Sequence, residues 1–261
     1  MDNGVNITTF RTSDGNTVKM EYRDSLPSSS HLAKDYALSG YPDRYVVFTE
    51  KQTEYSATGD PLSNGETEKG IYLSCILRPS IFQSQAGSIR PLGAAALANA
   101  LEEHSENKIG IGWLSDIYCN GEKIGRTSVE NMPDNLNSFE YLIITFAVKL
   151  DPKNFPPRLT DMVRQVFEEK SVSVPMIIAK TILNKFFSIY KDMKTPEKHF
   201  NMYFNKFIFN DKKIKFLDDG KKKIGRVVGI DKSNLSLIVE SKDGRRVSIS
   251  SPSRVINPNK I

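Results

Sequence analysis

Apolar and polar residues along this chain follow two periods, and the switches between them mark out the elements. Thr17–Tyr22 and Tyr45–Thr49 read as strands. Between them an amphipathic helix begins at Ser28-Ser29-Ser30, good N-cap residues, with Leu32, Ala33, Tyr36 and Ala37 at helical spacing. Lys51–Lys69 is rich in Thr, Ser, Gly, Asn and Glu and has no period, so it reads as a long loop of the kind that is often functional or disordered. Gly70–Pro79 (GIYLSCILRP) reads as a buried strand closed by proline. Leu92–His104 is a run of good helix formers. Ile109–Glu130 predicts strand, short loop, strand, a hairpin turn at Asn120-Gly121 and another strand. Phe139–Leu150 is a further β stretch ended by Asp151-Pro152. Helices follow over about Arg158–Glu169 and Val174–Met193, the second with Ile177, Ile178, Thr181, Ile182, Lys185, Phe186 and Ile189 at helical spacing.

The pattern changes near Phe204–Phe209. Short alternating segments are then split by Asp219-Gly220, Asp231–Asn234 and Asp243-Gly244, which predicts a small SH3-like β-barrel. The expected fold is therefore α+β: a mixed sheet flanked by helices over residues 1–205, and a separate barrel over residues 206–261. No internal repeat is evident.

Composition fits this picture. With 261 residues, 39% hydrophobic and 26% charged, the chain has room for one substantial core and a small second domain. The longest apolar run, Tyr141–Val148, has the length of a buried strand and falls far short of the roughly 20 residues that span a bilayer, so no membrane partner is expected. MDNGVNITTF shows neither the basic segment nor the apolar core of a secretory signal. Cys75 and Cys119 are isolated, which suggests no disulfide framework and no zinc site, and makes a reducing cytoplasm the default compartment. His31, His104 and His199 show neither triad nor metal spacing.

Charge is uneven. Residues 206–261 carry 14 Lys/Arg against 6 Asp/Glu, whereas residues 1–205 carry 22 against 25. Such asymmetry suits a nucleic-acid surface, a docking face for an acidic partner, or a solvated barrel exterior. Lys221-Lys222-Lys223 and Arg245-Arg246 would meet phosphates in the first case. Only Phe207, Phe209 and Phe216 could stack bases there, which argues against nucleic acid.

In order along the chain, GIYLSCILRP, the alanine-rich helix, GWLSDIYCNGEKI and KKKIGRVVGIDKSNLSLIVESKDGRRVSI resemble a biotin protein ligase, from about Ser25 onward. The resemblance implies a biotin/lipoate-ligase-like sheet followed by the SH3-like barrel. It implies ATP with Mg2+ and biotin as substrate, joined as biotinyl-adenylate with release of pyrophosphate. The biotin then passes to a lysine on the biotin-carrier domain of a carboxylase or on another partner protein. Pairing of two copies through sheet edges, a homodimer, is implied as well. The chain offers no room for the N-terminal helix-turn-helix domain of repressor-type members, so operator binding is not implied.

Several motif positions depart from the family. Counting back from Tyr72 places Gln52 at the family's glutamine and Tyr55–Pro61 at its GRGRxGR loop, here without any arginine and with Asp60 added. The KWPND motif reads Gly112-Trp113-Leu114-Ser115-Asp116, keeping Trp113 and Asp116. Lys123 matches the lysine that contacts the biotin carboxylate and the phosphate, and Arg126 stands where the family keeps a glycine. The GxGxN strand reads Thr145-Phe146-Ala147-Val148-Lys149, so Lys149 replaces an asparagine. Ser28-Ser29-Ser30 loosely matches the Ser-Thr-Asn that opens the first helix.

The resemblance thus assigns Lys123 to catalysis and Ser29, Ser30, Gln52, Trp113, Asp116, Arg126 and Lys149 to substrate binding. Gln52, Trp113 and Lys123 are expected around one cavity with Tyr55–Pro61 at its mouth. A loop without arginines lacks the bidentate phosphate contacts of a guanidinium. The residues therefore leave open a divergent, weak ligase for biotin or a related acyl group, and a catalytically silent member that serves as a protein- or ligand-binding scaffold.

Overall fold

The structure is a computed structural model that describes residues 5–53, 69–104, 108–134, 136–149, 174–231, 235–251 and 254–256. An eight-stranded sheet dominates. Its strands are β1 (Asn6–Arg11), β2 (Thr17–Arg23), β3 (Tyr45–Lys51), β4 (Lys69–Leu77), β5 (Ile109–Ile111), β6 (Asp116–Cys119), β7 (Glu122–Pro133) and β8 (Phe139–Lys149), in the order β1-β2-β3-β4-β8-β7-β6-β5. The β2–β3 pair is parallel, and a parallel pair needs a crossover. Helix α1 (Ser29–Leu38) supplies it, capped by the Ser28 hydroxyl, which accepts from the His31 amide.

Helices cover both faces. Ala33 and Ala37 of α1 pack with Val47, Ile76 and Ile143. On the other face α2 (Ile89–Glu103) and α3 (Val174–Tyr190) bury Leu97, Leu101, Ile182 and Phe186 against Val46, Phe48, Ile144 and Phe146. This explains the run Tyr141–Val148 in β8, apolar except for Thr145: successive side chains point to opposite faces, and both faces are largely buried.

Most boundaries match expectation. Helix α2 starts earlier than Leu92, at Ile89, and α3 stops at Tyr190, short of Met193. The sequence pattern does not mark strand β1, an edge strand whose residues are exposed or half-buried and whose apolar residues, Ile7 and Phe10, do not alternate. The helix expected over Arg158–Glu169 and most of the long loop lie outside the described residues. Asn120-Gly121 forms the two-residue hairpin turn with φ 51° and 83°, both in the left-handed region a type I′ turn requires.

Past the short helix α4 (Phe200–Phe204), five antiparallel strands make the small C-terminal barrel. They are β9 (Lys213–Asp218), β10 (Lys221–Ile230), β11 (Leu237–Ser241), β12 (Arg246–Ile249) and β13 (Val255–Ile256), in the order β12-β11-β10-β9-β13. Phe207 runs parallel to Ile111 at the sheet's β5 edge. Phe207, Phe209 and Phe216 are buried in the same apolar core as Ile111 and Ile117. The aromatics a base-stacking surface would need are thus inside the protein. Several of the barrel's cations are also engaged: Lys223 with Asp218, Arg226 and Arg246 with Glu240, Arg245 with Asp243. No helix among the described residues is long and apolar enough to cross a membrane. Cys75 and Cys119 are free and buried.

Two buried carboxylates brace the β1–β3 end. Glu21, 3% exposed, accepts from the hydroxyls of Tyr45 (2.7 Å) and Tyr36 (3.1 Å) and from Arg23 (2.7 Å). Asp14 accepts from Thr12 and from Arg44 (2.7 Å each). Burial raises the Asp14 carboxyl's pKa, but bonds from Thr12, Arg44 and Asn16 outweigh it and hold the value at about 2. A carboxylate depressed in the fold contributes stability above its unfolded pKa and loses it as pH falls through the folded one. Urea midpoints should therefore drop between about pH 4 and pH 2, and Asp14→Asn should flatten that part of the profile. An unchanged acid limb in Asp14→Asn would remove Asp14 from this role.

Candidate functional site

Register places Asp116, Arg126 and Lys149 on one face of the sheet. Asp116 of β6 lies opposite Arg126 of β7, which lies opposite Ala147 of β8, which lies opposite Tyr72 of β4. A second row runs Ser128, Thr145, Ser74. Residues directly opposite, and residues two apart on one strand, share a face. Lys149 therefore sits on the same face as Ala147, at the end of β8.

Lys123 reaches this face only through a bulge. Arg126 lies three positions further on, which in a regular strand would put the two on opposite faces. The register shifts between Ile117 and Tyr118, so Lys123 opposes Tyr118 while Gly125 opposes Ile117. Lys123 Nζ then lies 3.1 Å from Asp116 Oδ2, with both side chains mostly covered. Gly125 is needed here, since a Cβ would sit 2.7 Å from the Ala147 carbonyl oxygen.

The other end of the face is a chain of hydroxyls. Ser29 donates its amide to Gln52 Oε1 (3.0 Å), and its Oγ lies 3.3 Å from that oxygen and 2.9 Å from Ser74 Oγ. Ser74 Oγ in turn lies 2.9 Å from Thr145 Oγ1. Ser30 turns instead toward the cap, 3.2 Å from Ser28 Oγ. Gln52 and Lys123 thus belong to two clusters on one face. Strands β4 and β8 lie between those of Gln52 and Lys123, roughly 14 Å of sheet at 4.7–4.9 Å per strand.

Trp113 makes a contact with the barrel. Its indole N–H donates to the Leu235 carbonyl (2.9 Å), so it ties the Gly112–Ser115 turn to the barrel. The turn is constrained at Leu114, whose φ is 72°. Buried Tyr203 holds it: its hydroxyl accepts from the Leu114 amide (2.9 Å) and donates to the Gly112 carbonyl (3.2 Å). Tyr203→Phe should cost about 1–3 kcal/mol in urea denaturation, because it leaves both backbone groups without their partner. A loss under a few tenths would show that the turn holds itself.

Arg90 escaped the sequence reading. It lies in the first turn of α2, where the helix dipole disfavours a cation, and that misfit was the available signal. Its Nη2 donates to Ser115 Oγ (2.7 Å). Burial, then the Arg126 charge, push its pKa down, opposed by Asp116 and Tyr203. Its Nε and the Thr127 hydroxyl are buried without a hydrogen-bond partner among the described residues. Arg126 itself is 7% exposed, not extended into solvent.

The Tyr55–Pro61 loop lies outside the described residues. A cavity of about 1060 Å³ lies elsewhere, between α2, β5 and the Asn205–Ile208 segment, and contains none of Ser29, Gln52, Lys123 or Arg126. Two of its flanking cations are paired, Lys206 with Glu102 and Lys185 with Glu103. Among the described residues no group of three His, Cys, Asp or Glu could hold a metal ion. His199 bonds Asp192, and His104 bonds Thr181.

No family model matches the chain. It is 27% identical over 177 residues to the bifunctional ligase/repressor BirA of Bacillus subtilis (strain 168), covering 67% of this chain and 54% of that protein. The BirA of Bacillus spizizenii is 25% identical over 179 residues. The chain spans about half the length of these curated relatives. Among solved structures it is similar to the apo biotin protein ligase of Aquifex aeolicus, with TM-score 0.65 and 16% identity over 93% of this chain and 96% of that one. A biotin protein ligase-like protein of unknown function from Silicibacter sp. tm1040 gives TM-score 0.64 and 14% identity over 93% and 97%. The Aquifex enzyme in complex with biotin and ATP gives 0.64 and 16% over 89% and 95%.

Proposed function

We propose that this chain, which is biotin protein ligase-like in sequence and fold, activates a carboxylic acid with ATP and passes the acyl group to a carrier-protein lysine, far more slowly than an intact ligase. The supporting observation is the Lys123–Asp116 pair, set by the β7 bulge on the same sheet face as Arg126 and Lys149. In the first step a carboxylate oxygen attacks the α-phosphorus of ATP, forming the acyl-phosphate anhydride as pyrophosphate leaves. Lys123 offsets the charge gathering between the two anions, and Asp116 aims it. In the second step a lysine amine attacks the acyl carbon, AMP leaves, and the amine gives up a proton. The described residues offer cations for phosphate, and Mg2+ would arrive bound to the nucleotide.

The domain division at residues 205 and 206, and the roles of Ser29, Gln52 and Lys149, belong to the same reading. Trp113 serves it as a clamp between turn and barrel. A second reading, a silent scaffold that docks a carrier domain, is favoured by the sequence of the Tyr55–Pro61 loop, which has no arginine. Calorimetry with a stable acyl-adenylate analogue separates them. Binding that weakens at least tenfold in Lys123→Ala supports the enzyme, as expected for a lost charge-assisted bond; no heat supports the scaffold.

A further inference from the structure

We propose that the outer face of β9 and β10 in the barrel docks an acidic segment of a partner protein, one in which carboxylates bracket a single apolar side chain. This goes beyond the ligase-like reading and does not depend on turnover at Lys123.

Alternation along the two strands decides what shows. On β9, Ile214 and Phe216 are buried, so Lys213, Lys215 and Leu217 face out. On β10, Gly225 and Val227 are buried, so Lys222, Ile224 and Arg226 face out. Register then sets Lys222 beside Leu217, Ile224 beside Lys215 and Arg226 beside Lys213. Ile256 of β13 lies on the other side of Lys215. The face therefore carries a row Ile256, Lys215, Ile224, with Leu217 and Lys222 in the next row. Ile224 is 47% exposed between the lysines.

These lysines differ from the barrel's other cations. Asp211 and Glu240 hold Arg226, Asp218 holds Lys223 and Arg254, and Asp243 holds Arg245. Lys213, Lys215 and Lys222 are exposed and make no hydrogen bond or ion pair with another described residue. Asp219 lies in the turn, past the last pair of the ladder, Asp218 and Lys221. Lys215 and Lys222 are diagonal neighbours, with Cα atoms roughly 7–8 Å apart, and two like charges that close repel. Carboxylates brought by a partner would offset that repulsion.

The apolar positions choose the class of partner. Nucleic-acid phosphates would meet the lysines but leave Ile224, Leu217 and Ile256 without a contact. The aromatics that could stack bases, Phe207, Phe209 and Phe216, are buried. A protein segment can meet both kinds of position, with an apolar side chain over Ile224 and carboxylates on Lys215 and Lys222. A patch this small suits a transient contact, in which charge acts mainly on the rate of association.

The test is fluorescence anisotropy of the full chain with a labelled peptide of glutamates flanking one leucine. We expect binding at low salt that weakens at least tenfold between about 0.05 and about 0.5 M. Lys215→Glu with Lys222→Glu should abolish it. Ile224→Ser should weaken it about 3–10-fold, the scale of covering half an isoleucine side chain. Arg245→Gln, at a cation paired elsewhere, should leave it unchanged. The peptide with glutamine for glutamate should not bind, and with serine for leucine should bind less, which tests charge and apolar contact without altering the protein. No binding of the glutamate peptide, full binding by the doubly reversed variant, or full binding of the serine peptide overturns the proposal. Single-stranded RNA or phosphatidylserine vesicles that bind more tightly than the peptide, with no loss in Ile224→Ser, would overturn it in favour of a general polyanion surface.

Discussion

Biotin-dependent pyrophosphate exchange by this protein should run at least three orders of magnitude below that of a ligase with an intact arginine loop. Adenylation presses a carboxylate against a triphosphate, and the family's loop meets that charge with arginines. Here the matching positions are Ser56, Thr58 and Pro61, and Asp60 adds a like charge. Each lost charge-assisted contact costs about 1.5–3 kcal/mol, or roughly 10–150-fold, so two or three of them account for the deficit. Arg126 and Lys149 add cations on the sheet face, but from fixed strands. Installing arginine at Ser56 and Thr58 together with Asp60→Gly should raise ATP affinity. Robust exchange by the unmodified chain, abolished by Lys123→Ala, would show instead that the cations on the sheet suffice and that this is a true ligase.

The largest effect on stability is expected from Glu21→Ala. That carboxylate sits under α1 and receives Tyr45, Tyr36 and Arg23 at once. Burial raises its pKa, and the bonds from Tyr45, Arg23 and Tyr36 more than reverse this, leaving it below the ordinary carboxylate range. Removing it strands Arg23 and two hydroxyls in a largely dry place, which costs about 3–5 kcal/mol when a buried pair is broken. Urea denaturation at neutral pH reads this directly. Because the folded pKa is depressed, the native contribution is present above the unfolded pKa and fades as pH falls, so wild type and variant should converge in acid. A difference under 1 kcal/mol at neutral pH would show that the tyrosines find other partners.

How much of this was legible follows from which forces act locally. The Ser28 cap, the Asn120-Gly121 turn and the helical spacing in α3 depend on a few neighbouring residues, and the structure has all three. Strand β1 was not legible, because its apolar residues Ile7 and Phe10 are three positions apart, off the period-2 spacing of a strand. Arg90 escaped because no short motif holds it; it meets Ser115 only after α2 packs under the end of β7.

The sequence by itself determined most of the order of the described elements, the short-stranded C-terminal unit and the likeness to biotin protein ligases, since these rest on periodicity, turn residues and motif order. It also showed the arginines missing from the loop. Only the tertiary structure decided which survivors act together. A bulge at Ile124 turned Lys123 onto the face of Asp116 and Arg126. Packing of the barrel claimed Trp113 for Leu235. Strand pairing joined Ser29, Ser74 and Thr145, up to 116 positions apart in sequence, into one hydroxyl chain. Register and packing are long-range properties, and no local pattern of residues encodes them alone.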